Sequence, residues 1–286
     1  MIFLSWYFEV TSNTYRFMGH IGVLGGGWLG EDFAKKATLS GLQVRMTTTD
    51  MKKLRRLGDQ GHKACFLKVT ESAIEGQLDF FSELDVLVIT VPPGLRKNPN
   101  ANYESVIGQI IKKIEAFGIK KVIFTSSTSV YGYQEGVITE NSQLLGETLS
   151  AKQIISVEEK LLSNQNFESI IVRLGGLMGP NRYPIYNLSK KKNLPDPNSP
   201  INFIHRQDAV VILLQLIQNW KGNEVYNAVT PFHPSRKEYY SQMAKMANLP
   251  PPTFENKGKI RGIISSEKLV LELNGQFKVK NLLILN

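Results

Sequence analysis

The sequence predicts a doubly wound α/β protein built on a parallel sheet, and three observations carry that prediction. Short apolar runs alternate with segments of helical spacing through the first 175 residues. Residues 85–91 are apolar almost throughout, as a strand covered on both faces must be. A glycine-rich turn, residues 25–30, joins the first apolar run to the first helical segment.

The elements follow in order. Residues 21–24 read as a strand, and 28–39 as a helix in which Ala34 and Ala37 allow close packing. Residues 42–47 form the next strand and 51–57 a basic helical turn. Strands at 64–69 and 85–91 come next, the second stopped by Pro92-Pro93-Gly94. Residues 103–117 place Ile107, Ile110, Ile111 and Ile114 on one helical face, and 121–125 return to strand. A helix at 150–163 and a strand at 169–174 complete the regular part. The rhythm then breaks. Residues 179–200 are rich in Pro, Asn and Lys; beyond them come a strand at 202–205, a helix at 209–220, a strand at 224–229 and a helix at 236–247. The expected organisation is an extension at 1–17, a sheet domain at 18–175, and a mixed segment at 176–286 that forms a smaller lobe and completes the fold. Met18, directly before the first patterned strand, reads as the natural start, or else residues 1–17 are a loose, disordered arm.

Composition narrows the class. With 42% apolar and 21% charged residues among 286, disorder is excluded. The longest apolar stretches, 86–91 and 209–214, fall far short of the ~18–20 residues of a membrane helix, so no membrane partner is expected. Cys65 stands alone, which excludes an internal disulfide and a zinc site, makes a reducing cytoplasm the expected location, and leaves no metal expected. The net charge of +9 comes from scattered short clusters without interleaved aromatics. That pattern favours small anionic ligands over nucleic acid. Oligomeric state is not legible.

Gly25-Gly26-Gly27-Trp28-Leu29-Gly30 is a G-x-G-x-x-G between a strand and a helix. Gly25 permits the tight turn, Gly27 the approach of a pyrophosphate to the backbone, and Gly30 the packing of helix on strand. The N–H groups of Trp28 and Leu29 open the helix toward that anion. The following strand ends in Arg45-Met46-Thr47-Thr48-Thr49-Asp50 rather than in an early acid. Arg45, Thr47, Thr48 and nearby lysines suit a 2′-phosphate, so NADP is expected ahead of NAD, with Asp50 free to cap the next helix. Val91, Pro92 and Pro93 would flank adenine or ribose, and Ser126 and Ser127 end a strand where nicotinamide and substrate meet.

These residues resemble the extended and atypical short-chain dehydrogenase/reductases, the NAD-dependent epimerase/dehydratase-like superfamily, in a branch with a G-x-G-W-L-G fingerprint. The similar segments are 25–30, 47–49, 85–94, 124–132, 173–180, 202–208 and 225–227. The resemblance implies a Rossmann-like doubly wound parallel sheet with a small C-terminal substrate lobe. It further implies an NAD(P)-dependent oxidoreductase or epimerase acting on an anionic small molecule, sugar derivatives among them. Such enzymes use a Ser or Thr, here Ser127, with a helix-borne Tyr-x-x-x-Lys. Aligning Glu159-Lys160-Leu161-Leu162 puts Ala151 and Ile155 at those two positions. The chain's one Tyr-x-x-x-Lys, Tyr186…Lys190, falls in the irregular segment.

Tyr131, close after Ser127, is therefore the candidate acid, with His205 or a bound water as the other proton sources. Arg173, Arg182 and His205 are candidate ligands of an anionic substrate, and Asp208 is placed to cap a helix. A non-catalytic NADP-binding sensor or regulatory module is the alternative.

Overall fold

The computed structural model describes residues 19–95, 98–273 and 277–285. The expectations for residues 1–17 and for Met18 lie outside them. The chain begins with β1 (His20–Leu24), α1 (Trp28–Leu39), β2 (Gln43–Thr48), α2 (Met51–Asp59), β3 (Lys63–Val69) and β4 (Ile74–Gly76). A 3-10 turn at Leu78–Phe81 leads to β5 (Val86–Ile89), α3 (Tyr103–Ala116) and β6 (Lys121–Ser127). A second turn, Thr128–Tyr131, precedes β7 (Val137–Ile138), α4 (Leu149–Leu162), β8 (Glu168–Leu174) and β9 (Gly176–Met178). The remainder is α5 (Ile185–Leu188), β10 (Phe203–His205), α6 (Arg206–Gln218), β11 (Glu224–Ala228), α7 (Arg236–Met246), β12 (Ile263–Ile264) and α8 (Glu267–Leu273).

Eight strands form one sheet in the order β11-β8-β6-β5-β1-β2-β3-β4, parallel except for the antiparallel edge pair β3–β4. The chain winds outward from β1 through β2 and β3, then reverses through β5, β6, β8 and β11. The reversal leaves a crevice at the carboxyl ends of β1 and β5, where open α/β sheets bind ligands.

Strand alternation assigns the two faces. Val86 and Val88 pack with Phe33, Ala34 and Ala37 of α1, Leu213 and Leu216 of α6, and Leu269 of α8. Leu87 and Ile89 pack on the other face with Ile107, Ile110 and Ile114 of α3 and Val157 and Leu161 of α4. The sheet is thus covered on both sides, which explains the unbroken apolar run. Its strand is shorter than predicted, because residues 90 and 91 turn aside: Thr90 Oγ1 donates to Gly25 O at 2.6 Å.

Residues beyond 175 divide between two cores. Helix α6 and strand β11 return to the main sheet, β11 pairing with β8 from Glu224↔Ile170 to Ala228↔Leu174. Met178, Tyr183, Ile185, Tyr239 and Met243 form a separate core under α5 and α7. The helices carry ordinary start signals: Thr148 accepts from Ala151 N in α4, and Ser235 with Glu238 makes a capping box on α7. Among the described residues, no helix is long and apolar enough to cross a membrane.

Candidate active site

The glycine turn is held by β2. Thr47 Oγ1 accepts from Gly25 N at 3.0 Å, and Thr47 O accepts from Gly26 N at 2.6 Å. Gly25 has φ +104°, a conformation that favours glycine. A Cβ on Gly30 would lie 2.2 Å from Gly25 O, so only a glycine lets α1 approach the turn this closely. Gly27 differs: its Cβ would meet nothing nearer than Gly25 O at 3.9 Å and would project into open space. No side chain caps α1, and among the described residues nothing accepts from the N–H groups of Trp28, Leu29 and Gly30. Leu29 turns its side chain into the core while its amide stays at the helix end. This is a cradle of free donors at the positive end of a helix, an arrangement that suits an anion. Val91 borders it, its Cγ2 3.0 Å from a Cβ built on Gly25, and Pro92 and Pro93 follow on the partly exposed rim.

Arg45 is not brought to this crevice. It lies three residues short of the end of β2, and its guanidinium donates to Asp79 O at 3.0 Å and Ser82 O at 2.6 Å. With Lys63, Cys65 and Glu83 it lines a depression of about 280 Å³ at the opposite, amino-terminal edge of the sheet. Arg45 lies on the same face of the strand as Thr47 but two residues earlier, about 6–7 Å back along β2, so a basic residue near a motif in sequence can still lie out of its reach. Thr48 and Asp50 do lie at the strand end: Thr48 Oγ1 accepts from Asp50 N, and Asp50 caps α2 by accepting from Lys52 N and Lys53 N. Lys53, one of the nearby lysines, instead donates to Gly26 O and pairs with Glu31 at 2.7 Å. Burial raises the cost of ionising Glu31, but hydrogen bonds from Arg56, Lys53 and Lys35 outweigh it and hold the carboxyl far below its usual range.

At the end of β6 the two serines part. Ser127 is partly exposed at the strand end, and its Oγ accepts from Ser129 N at 3.2 Å. Ser126 is buried and donates to Glu158 of α4. Ser126 thus faces the helix interior rather than a cofactor.

Glu158 in turn pairs with Arg173, Nη2 to Oε2 at 2.7 Å, with both groups almost wholly buried. Arg173 Nη1 donates to Tyr131 Oη at 2.9 Å, and Tyr131 Oη donates to Asn227 Oδ1 at 2.7 Å. Tyr131 is 1% exposed, and burial pushes its hydroxyl above the ordinary range despite Arg173. Tyr131 as proton donor and Arg173 as substrate ligand are therefore both corrected: they fasten the second 3-10 turn, α4, β8 and β11 together. The sequence held one sign of this, since Glu158 falls on the apolar face of α4 with Ile154, Val157 and Leu161.

Arg182 and His205 are brought together, through Trp28. The Arg182 guanidinium lies 4.8 Å from the Trp28 ring centroid, and Arg206, which the sequence did not single out, lies 4.5 Å from it. His205, not Asp208, caps α6: Nδ1 accepts from Gln207 N at 3.3 Å. Asp208 instead accepts from Lys278 N and Val279 N, tying down the C-terminal tail. Burial lowers the His205 pKa and so favours the neutral ring.

No protein-family model matches the chain. Protein YeeZ of Escherichia coli K12 is 30% identical over 275 residues, covering 94% of this chain and 99% of YeeZ. The chain belongs to the YeeZ family. Among solved structures, this YeeZ-family chain shares its fold with MoeE5 in complex with UDP-glucose and NAD, at TM-score 0.75 and 18% identity over 93% of this chain and 95% of that one. It also matches the NAD complex of dTDP-glucose 4,6-dehydratase from Bacillus anthracis, at TM-score 0.74 and 16% identity over 93% and 94% of the two chains. The architecture is that of the Rossmann-like NAD-binding epimerases and dehydratases.

Against that fold, the start of α4 in the YeeZ-family chain is filled. Ala151 is buried, and a Cβ on Gly146 would lie 2.6 Å from Ala151 Cβ and 3.2 Å from Ile155 Cδ1 and Val130 O. The backbone before α4 therefore lies directly on the two side chains where the resemblance places Tyr and Lys. Tyr186 and Lys190 are exposed in and after α5, whose core is the second lobe's.

Proposed function

We propose that the protein is an NAD(P)-dependent oxidoreductase or epimerase acting on an anionic small molecule, with sugar derivatives in the substrate class. The observation that carries this reading is the glycine turn: three free N–H groups at the head of α1 and open space where a Gly27 side chain would stand. The folds shared with proteins solved in complex with NAD and nucleotide sugars support it. Residues 25–30 and Thr47 would hold the cofactor, with Val91, Pro92 and Pro93 at its edge. NADP is favoured over NAD by the threonines and by Lys52, with Arg45 withdrawn from that role and Lys53 held by Glu31 and Gly26 O.

A bound nicotinamide would supply or accept hydride. Ser127 would orient a substrate oxygen by hydrogen bonding. With Tyr131 locked in the buried pair and Ala151 and Ile155 unable to titrate, the proton would pass through water at Ser127. The closed start of α4 favours one second reading, a cofactor-binding sensor that does not turn over. Hydride exchange with labelled NADPH across a substrate panel separates the two.

The test of the cofactor site is Gly27→Val. The added side chain meets open space, so the melting temperature without ligand stays within about 2 °C, a shift of under ~0.5–1 kcal/mol for a domain of this size. Stabilisation by NADPH is expected to vanish. A variant still stabilised by NADPH overturns the assignment.

A further inference from the structure

Two cations share one indole at the mouth of the crevice, and they are not equally neutralised. Arg206 Nε lies 3.0 Å from Asp32 Oδ2. Arg182 is exposed at the end of the 179–182 turn, and among the described residues no carboxylate lies within ion-pair distance of it. Both guanidiniums rest on Trp28, the first residue of α1, beside the free N–H groups of that helix end. Positive charge thus accumulates where the helix dipole is already positive.

Beneath them is a second, independent sign of a missing acceptor. His205 is wholly buried, and because Nδ1 accepts from Gln207 N, the ring proton is assigned to Nε2. Nε2 has no hydrogen-bond partner. It faces Gly179: a Cβ there would lie 3.2 Å from Nε2 and 3.4 Å from both Arg206 Cβ and Trp28 Cη2. A buried donor without an acceptor is destabilising and rare. Here it is aimed at the same few ångströms that Trp28 and Arg206 enclose.

We propose that Trp28, Arg182, Arg206 and His205 form a seat for one oxyanion. A phosphate or carboxylate pairs with the guanidiniums beside the α1 N-terminus, and a small shift of Gly179 gives its oxygen the His205 N–H. Guanidinium groups suit this task because they present paired donors in the plane of an oxyanion, while Trp28 orients them. The placement rests on the cofactor reading above. Two sources supply the chemistry: the pyrophosphate of the dinucleotide, or an anionic group of the substrate.

The experiment uses a Trp6→Phe/Trp220→Phe background, which leaves Trp28 as the one tryptophan emitter among three. ADP-ribose is titrated into the apoprotein, and inorganic phosphate into protein saturated with NADPH. Each titration is repeated with Arg182→Gln and with His205→Asn, which keeps a helix-capping acceptor for Gln207 N and removes Nε2. If the pyrophosphate fills the seat, both variants weaken ADP-ribose about tenfold or more, and phosphate leaves the NADPH-loaded emission unchanged. If the substrate fills it, ADP-ribose affinity holds while phosphate shifts Trp28 emission in the loaded protein, a response lost in Arg182→Gln. Should neither variant change either titration, the seat is overturned while the cofactor reading stands. Phosphate shifting apoprotein emission in an Arg182-dependent way, without any NADPH binding, supports the seat and overturns the cofactor reading. Absence of binding by all three probes overturns both. Arg182 is exposed, so its variant keeps the test valid if His205→Asn does not fold.

Discussion

Two points on the carboxyl edge of the sheet contrast in how they treat empty space. At the glycine turn, a side chain added to Gly27 finds no neighbour closer than 3.9 Å, and the helix end behind it keeps its donors free. At the start of α4, a side chain added to Gly146 collides with Ala151 at 2.6 Å. One place is left open, with the first N–H groups of α1 beside it; the other is packed shut by backbone and small apolar residues. In the proposed function, nucleotide binding and proton transfer would therefore be separable. The first would depend on backbone geometry set by β1, β2 and α1, and the second on individual side chains that can be exchanged without disturbing the sheet.

The buried Glu158–Arg173 pair gives the largest expected effect and tests whether the packed region is structural. Glu158→Gln removes the carboxylate facing Arg173 and leaves a buried guanidinium without its counter-charge. Breaking such a pair typically costs about 3–5 kcal/mol. Urea denaturation is expected to show a loss of that size, while NADPH affinity of the folded fraction is retained because the glycine turn lies across the sheet. A stability loss well under 1 kcal/mol, or a matching loss of cofactor affinity, would refute the separation.

The contrast also explains what the sequence made legible. The turn at residues 25–30 is a local motif: its partners, Thr47 and Thr90, lie at the ends of neighbouring strands, where parallel pairing must bring them. The strand and helix order, the two covered faces and the Asp50 cap could be read for the same reason. The side-chain assignments that needed correction depended on direction. Ser126 and Ser127 are adjacent, yet alternation sends one into α4 and leaves the other partly exposed at the strand end. Arg45 shares the face of Thr47 and misses the turn by distance instead, two residues back along β2. Arg206 carried no signal at all, because it meets Trp28 only when α6, 178 residues later, packs beside α1.

The next effect is on rate. Ser127→Ala is expected to reduce any hydride transfer by about 10²-fold, within the range for losing a group that positions or relays a proton. Tyr131→Phe should leave that rate nearly unchanged, since its hydroxyl is spent on Arg173 and Asn227, and should instead lower stability by roughly 1–3 kcal/mol. Single-turnover kinetics with both variants decides the matter. A rate loss confined to Tyr131→Phe would return Tyr131 to the chemistry and break the contrast.

A smaller effect appears at acid pH beside the glycine turn. The Glu31 carboxyl accepts from Lys35, Lys53 and Arg56, and its folded-state pKa lies far below the ordinary 4.5. A depressed carboxyl stabilises the fold above its unfolded pKa and loses that contribution as pH falls below it. Wild-type protein should therefore lose stability on acidification more steeply than Glu31→Gln in this window. The two melting curves are expected to converge toward low pH, and parallel curves would show that the cluster contributes nothing.

The finest distinction concerns the adenosine end of the crevice. Arg45 spends its guanidinium on Asp79 O and Ser82 O, away from the turn, so Arg45→Ala should change the ratio of NADPH to NADH affinity by no more than about twofold, under ~0.5 kcal/mol. Lys52 is exposed in the first turn of α2, directly after Thr48, Thr49 and Asp50, where a 2′-phosphate on a nucleotide lying along β2 would meet it. Lys52→Ala should lower NADPH affinity about three- to fivefold with little change for NADH, as expected for one solvent-screened lysine–phosphate contact. Calorimetric titration of both cofactors against both variants measures the difference directly. A selectivity change in Arg45→Ala and none in Lys52→Ala would mean that the adenosine runs toward the amino-terminal depression instead, and the open glycine turn would then need a different ligand.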